Sequence, residues 1–81
     1  MDDKTMAWMR KRLQDADYLE RQIREASQTK RYILDRDAAI CARNDAGNHY
    51  HVMQLPDEAR AVCVKQIDER IAELEKDLAE L

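Results

Sequence analysis

Two cysteines and two histidines are the residues whose types and spacing come closest to a chemical motif. Cys41 and Cys63 flank His49 and His51, and a turn between two helices would bring all four to one end of the molecule. Zinc uses such a Cys2His2 ligand set in structural sites. The spacing matches no familiar zinc motif, however, and both cysteines lie in apolar runs, where free cysteine packs as a small hydrophobe. We therefore predict buried thiols, no metal site and no cofactor.

The same stretch is a candidate recognition element. His49 and His51 are two residues apart with Tyr50 between them, so on an extended segment the two imidazoles share a face. We expect residues 49–53 to form a short extended stretch across the tip of the molecule. His49, Tyr50 and His51 would there be free to contact a partner.

A cluster of basic residues suggests a second kind of site. Continuing the apolar spacing of the first half of the chain places Lys30 and Asp37 on its inward stripe, where charges are costly unless paired. The alternative is that the stripe slides to Leu34 and Cys41 and leaves both charged tips in water. A symmetric assembly could also enclose a candidate site for a small anion or nucleotide, made of Lys30, Arg31, Tyr32 and Arg36.

The sequence gives little support for nucleic-acid binding or for catalysis. Arg10, Lys11 and Arg12 form a basic triplet, but acidic residues follow it and the net charge is −3, so nucleic-acid binding is not expected. The chain has no nucleophile beside a base and no glycine-rich phosphate loop. We predict that it is not an enzyme.

The placement of the only glycine and the only proline predicts the elements that carry these residues. Gly47 and Pro56 are the strongest helix breakers, and nothing comparable interrupts either side of them. The chain is therefore expected to be one all-α domain over residues 1–81, an antiparallel two-helix hairpin with helices at about 3–45 and 57–81 and a tip at 46–56. A break at Ser27–Thr29 would instead give three helices.

The second predicted helix carries a coiled-coil seam with alternating steps of three and four residues, and the first carries a comparable apolar stripe. In the second helix the seam is Val64, Ile67, Ile71, Leu74, Leu78 and Leu81. In the first the stripe is Met6, Met9, Leu13, Ala16, Leu19, Ile23, Ala26, Ile33 and Ile40. A composition of 38% charged and 5% aromatic residues is typical of such helices.

The unequal lengths of the two helices predict self-association. A helix of about 42 residues is about 63 Å long and one of about 24 residues is about 36 Å long, so Leu81 should arrive near Leu19 or Ile23. The residues left uncovered would be Met6, Trp8, Met9, Leu13 and Ala16. Exposed apolar strips mark interaction surfaces, so we expect a dimer or higher homo-oligomer that also binds another protein through this end.

The sequence supports only general expectations about the location and the function of the protein. The first residues are acidic and precede no apolar run, and the longest apolar stretch is far too short to span a bilayer, so we expect a cytoplasmic protein without contact with a membrane. Size and class favour an adaptor, an inhibitor or an assembly factor, for example a phage or bacterial accessory protein that blocks a host system. The alternative is a protein that sequesters a small anion or nucleotide in pockets between subunits.

Overall fold

The first helix ends well before the tip region that the sequence predicts. A computed structural model describes residues 2–81, which form helix α1 (Asp3–Leu34), strand β1 (Ala39–Arg43), strand β2 (His49–Gln54) and helix α2 (Asp57–Ala79). The prediction of an all-α hairpin with a first helix reaching residue 45 is therefore wrong. A two-stranded antiparallel sheet takes the place of the last part of that helix and of the tip.

Helix α1 begins at a side-chain cap and runs without a break to Leu34. The Asp2 carboxylate accepts a hydrogen bond from the Thr5 backbone N–H at 2.7 Å, which satisfies one of the free donors of the first turn. At the weak point of the sequence the Thr29 hydroxyl donates back to the Glu25 carbonyl at 2.9 Å, a bond compatible with a continuous helix. The three-helix alternative is therefore wrong.

The end of α1 explains why the chain turns into a strand. Asp35 is extended (ψ 136°) and its carboxylate accepts the Asp37 backbone N–H at 2.8 Å. Asp side chains that bind the backbone two residues on form a turn of their own and compete with the helix. Ile40, Tyr50 and Val52 then follow in segments that suit a pleated strand.

The two strands are joined by a turn that needs the single glycine. Gly47 has φ of +85°, a conformation that side chains disfavour, and its N–H donates to the Asn44 carbonyl at 2.9 Å. The Asn44 side chain also accepts the Asn48 N–H at 3.0 Å. Farther from the turn the register shifts between Ile40 and Cys41, so that β2 carries one extra residue there, a β-bulge.

Helix α2 begins at Asp57, directly after Pro56, where the sequence places it. Pro56 has φ of −64°, and the acidic Asp57 and Glu58 lie in the first turn, where the helix dipole favours negative charge. Helix α2 packs antiparallel on α1. Within residues 2–81, the strands contact each other and neither helix.

The result is a plate one layer thick. The Cα atoms span 57 × 30 × 14 Å, and among residues 2–81 Leu74 is the one hydrophobic residue that is fully buried, with 2% of its surface exposed. Domains usually bury the apolar sides of their elements between two packed layers. This chain supplies one layer.

Candidate functional site

The seam between the helices is only half closed. Ile23 and Ala26 of α1 and Ile67 and Ile71 of α2 are half-buried, and Leu74 of α2 is buried. One ion pair crosses the seam within the described residues, between Lys30 Nζ and Asp68 Oδ1 at 2.7 Å. Two helices can cover only one side of each other, so their flanks stay open.

Helix α2 reaches farther along α1 than expected. Leu81 lines a hollow with Trp8, Arg12 and Asp15, instead of arriving near Leu19 or Ile23. The physical reason is that α1 ends at Leu34, so α2 folds back from a point closer to the N-terminus. The uncovered end of α1 is therefore shorter than the sequence predicts.

The N-terminal end of the helix pair nevertheless stays largely uncovered. Met6, Trp8, Met9 and Leu13 are exposed, with 58% for Trp8 and 67% for Leu13, and Ala16 is half-buried. A concavity of about 470 Å³ lies here, lined by Trp8, Met9, Arg12, Leu13, Ala16, Leu78 and Leu81. The Arg12 guanidinium lies 5.1 Å from the centre of the Trp8 ring, within the range of a cation–π contact. Of the predicted interface residues, Trp8, Met9, Leu13 and Ala16 line this hollow, and Met6 does not.

A second, larger concavity lies at the other end of the helix pair. It has a volume of about 710 Å³ and is lined by Leu34, Asp57, Arg60, Ala61, Val64, Lys65, Asp68, Glu69 and Ala72. The Arg60 Nε atom is buried and has no hydrogen-bond partner among residues 2–81. Buried donors of this kind normally have an acceptor.

Both concavities open on the same side of the plate. Ala16 lines the first and Leu34 lines the second, and they are 18 residues apart, which is five full helical turns. They therefore lie on one side of α1, about 27 Å apart along its axis. We call this side the groove face, with Met9, Leu13, Ala16, Leu34, Val64 and Ala72 as its apolar residues.

The predicted anion-binding residues do not form one site within a chain. Lys30 is paired with Asp68, whereas Tyr32 lies about 200° farther round the helix and accepts a hydrogen bond from the Gln28 side chain at 3.0 Å. Arg31 lines a separate hollow on α1, and Arg36 lies beyond the end of the helix. The charge of Lys30 is thus already balanced.

The histidines lie on strand β2, where the sequence predicts an extended stretch over residues 49–53. His51 is opposite Cys41, His49 is opposite Arg43, and Tyr50 is opposite Ala42. Cys41 is exposed on β1 and Cys63 is half-buried on α2, so the prediction of two buried thiols fails for Cys41. Within residues 2–81, no group of three or more His, Cys, Asp or Glu side chains is placed to hold a metal ion.

The β-hairpin has a distinct polar and a distinct apolar face. Cross-strand partners share a face and neighbours along a strand alternate. One face therefore carries Cys41, Arg43, His49 and His51, and the other carries Ile40, Ala42, Tyr50 and Met53. All these residues are exposed. Asn44 to Gly47 between two apolar runs was the available signal for this hairpin, and the helical interpretation missed it.

No protein family matches the chain, and no curated protein or solved structure is significantly similar to it. Within residues 2–81, neither helix has the length and apolar character that crossing a bilayer requires.

Proposed function

We propose that this chain is a homo-oligomeric protein–protein interaction module whose groove face is covered by a second copy. In that assembly it acts as an adaptor, an inhibitor or an assembly factor. The observation that carries the proposal is the single-layer architecture, in which Leu74 is the one fully buried hydrophobic side chain within residues 2–81.

The size of the exposed surface supports self-association. A compact monomer of 9.5 kDa has an accessible surface of about 5,000 Å², whereas this chain exposes 6921 Å². Its radius of gyration is 18.0 Å, against about 12 Å for a compact domain of this length. The excess of about 1,900 Å² per copy lies within what each partner of an obligate homodimer buries.

The chemistry of the groove face supports it as the surface that a second copy covers. Leu13, Leu34 and Val64 present apolar side chains along a strip that a second helix pair would fill, as in a four-helix bundle. A second copy would also bring carbonyl or carboxylate oxygens close to the unpartnered Arg60 Nε. Trp8 at the edge of this strip is the residue type that most often dominates binding energy, so we place contacts with another protein at that end.

The ligand-sequestering alternative is less well supported. It needs the positive charge of Lys30 to face a ligand, and Asp68 already holds that charge at 2.7 Å. Thermal melts with phosphate and nucleotides at millimolar concentration separate the two ideas, because a ligand that binds the folded state raises the melting temperature. The interaction module predicts no shift.

The direct test compares two neighbouring substitutions by sedimentation at micromolar concentrations. Leu13→Asp places a charge on the groove face, and Gln14→Asp places the same charge on an exposed neighbour that lines neither concavity. The wild-type chain and Gln14→Asp should sediment at twice 9.5 kDa or more. Leu13→Asp should weaken association at least tenfold. Equal association of both variants would show that the groove face is not the contact, and a monomeric wild type would refute self-association altogether.

A further inference from the structure

We infer that the free edge of strand β1 pairs with β1 of a second copy, antiparallel and centred on Cys41. This deepens the proposed function, since it names a contact within the self-associating assembly, on a surface different from the groove face. The result would be a four-stranded sheet shared by two copies.

The outer edge of β1 is uncovered. Within residues 2–81, β1 contacts only β2, and all five of its residues are exposed. An isolated two-stranded hairpin is marginal in water, and an open edge is a template for another strand. Pairing with more strands is the ordinary way to stabilise such a hairpin.

The direction of the backbone groups follows from the bonds that flank β1. The Asn44 N–H donates to the Asn48 carbonyl, and the Ala38 carbonyl accepts from the Leu55 N–H. The even-numbered residues that flank β1 at its two ends therefore direct these backbone groups toward β2. In an antiparallel ladder the direction alternates from residue to residue. Ala39, Cys41 and Arg43 therefore point their backbone N–H and C=O groups outward.

The two edges of the hairpin are not equally protected. Strand β2 carries the bulge, which disrupts regular pairing, and two histidines. Strand β1 has no bulge of its own, no proline and one charged residue, Arg43. Bulges, prolines and charges keep exposed strand edges from pairing with other strands. The edge of β1 has fewer of these features than the edge of β2 and is therefore more open to pairing.

A second copy fits this edge better than an unrelated strand would. Cys41 is the middle residue of the five in β1, so a two-fold axis at Cys41 pairs Ala39 with Arg43 of the other copy at both ends. About six backbone hydrogen bonds then form from the outward groups. Each Arg43 lies opposite Ala39, a small neutral residue, so the two Arg43 side chains lie at opposite ends of the pair and do not repel each other directly.

The excess surface is also sufficient for two contacts. The groove face and the β1 edge lie on different elements, and the excess of about 1,900 Å² per copy exceeds the roughly 1,600 Å² that two standard interfaces together take from each copy. If both contacts are self-complementary, a closed assembly with two kinds of two-fold axis results.

Cross-linking at Cys41 tests the register. In an antiparallel hydrogen-bonded pair the Cα atoms are about 5.5 Å apart, within the range that a disulfide spans. A Cys63→Ser chain, which keeps Cys41 as its one thiol, is oxidised with diamide, the reagent that takes up the two electrons and two protons of the thiols. The matched control keeps Cys63→Ser and adds Cys41→Ala and Ala42→Cys. Its one thiol is then at residue 42, which in the proposed register lies opposite Ile40 of the other copy.

We expect the Cys41 thiol to form a disulfide-linked dimer at least ten times faster than the control. Adding Ala39→Pro to the Cys41 chain removes an outward N–H without touching the β1–β2 bonds, and should slow the reaction to the control rate. Equal rates for Cys41 and the control would mean random collision and overturn the register. Oligomers in sedimentation without fast Cys41 cross-linking would overturn this inference and leave the proposed function intact, whereas a monomer would overturn both.

Discussion

Truncation of two leucines with opposite exposure measures whether the groove face is covered in solution. Leu74 is 2% exposed and Leu13 is 67% exposed in the single chain. Removing the side chain of a buried leucine costs about 2–5 kcal/mol, and the half-open seam around Leu74 can relax, so we expect about 2–3 kcal/mol. Leu74→Ala should therefore destabilise the protein at every concentration.

Leu13→Ala should behave differently. A fully buried leucine contributes about 1.5–3 kcal/mol, and with a third of Leu13 shielded the substitution should cost less than about 1 kcal/mol in a single chain. If a second copy covers the rest, each copy loses about 1–2 kcal/mol more, or about 2–4 kcal/mol per dimer, so the dimer dissociation constant should rise between about thirtyfold and a thousandfold.

The assay is urea unfolding followed by far-UV circular dichroism, at a low and at a high micromolar protein concentration. Val62→Ala is the control, because Val62 is 56% exposed and lines neither concavity. The effect of Leu13→Ala should grow with protein concentration, and that of Val62→Ala should not. If Leu13→Ala and Val62→Ala have the same small effect at both concentrations, the groove face is open in solution and our reasoning is refuted.

Three further predictions concern local features. The Thr5 N–H holds the pKa of the Asp2 carboxyl below its ordinary value of 3.8, so the capping contribution is complete above that value and is lost as the pH falls through the lowered pKa. Asp2→Asn, which keeps an acceptor oxygen, should remove this acid dependence from the melting temperature, and a dependence that survives in the variant would contradict the assignment. Lys30 and Asp68 are 33% and 51% exposed, so a double-mutant cycle should give a coupling of at most about 1 kcal/mol that falls with added salt; a larger coupling unaffected by salt would disagree. Gly47→Ala should destabilise the β-hairpin by about 1–2 kcal/mol because of the positive φ. Amide chemical shifts of residues 39–54 should change while helicity stays constant, and loss of helicity would contradict the independence of the hairpin.

The sequence predicts the helices where the signals are local. Pro56 before the first turn of α2 and the spacing of Ile67, Ile71 and Leu74 each act within a few residues, and the structure places them as expected. Such features depend on backbone donors and helical period, which a sequence displays directly.

The β-hairpin was missed because its first strand also suits a helix. Ala38 to Ala42 contains good helix formers, and Ile40 continues the seven-residue spacing from Ile33. This segment becomes a strand because the Asp35 side chain makes a turn that ends the helix and because the segment pairs with β2. Strand pairing is a contact between distant residues, and no helical periodicity reports it.

The groove face could be predicted only in part. Leu13 and Ala16 were identified from the seam, but the neighbours of Leu34 on α2 depend on how far the helices slide past each other. That offset is set by where α1 ends, which the helical interpretation placed too late. Because the predicted end of α1 lies three turns too far along the chain, every predicted contact between the two helices was displaced.

Small-angle X-ray scattering of the purified wild-type chain at tens of micromolar tests the central claim most directly. Our account predicts a scattering mass of at least twice 9.5 kDa and a particle thicker than the 14 Å layer of one chain. A mass of 9.5 kDa with a radius of gyration near 18.0 Å would mean that the single layer exists alone in water, and would contradict the account.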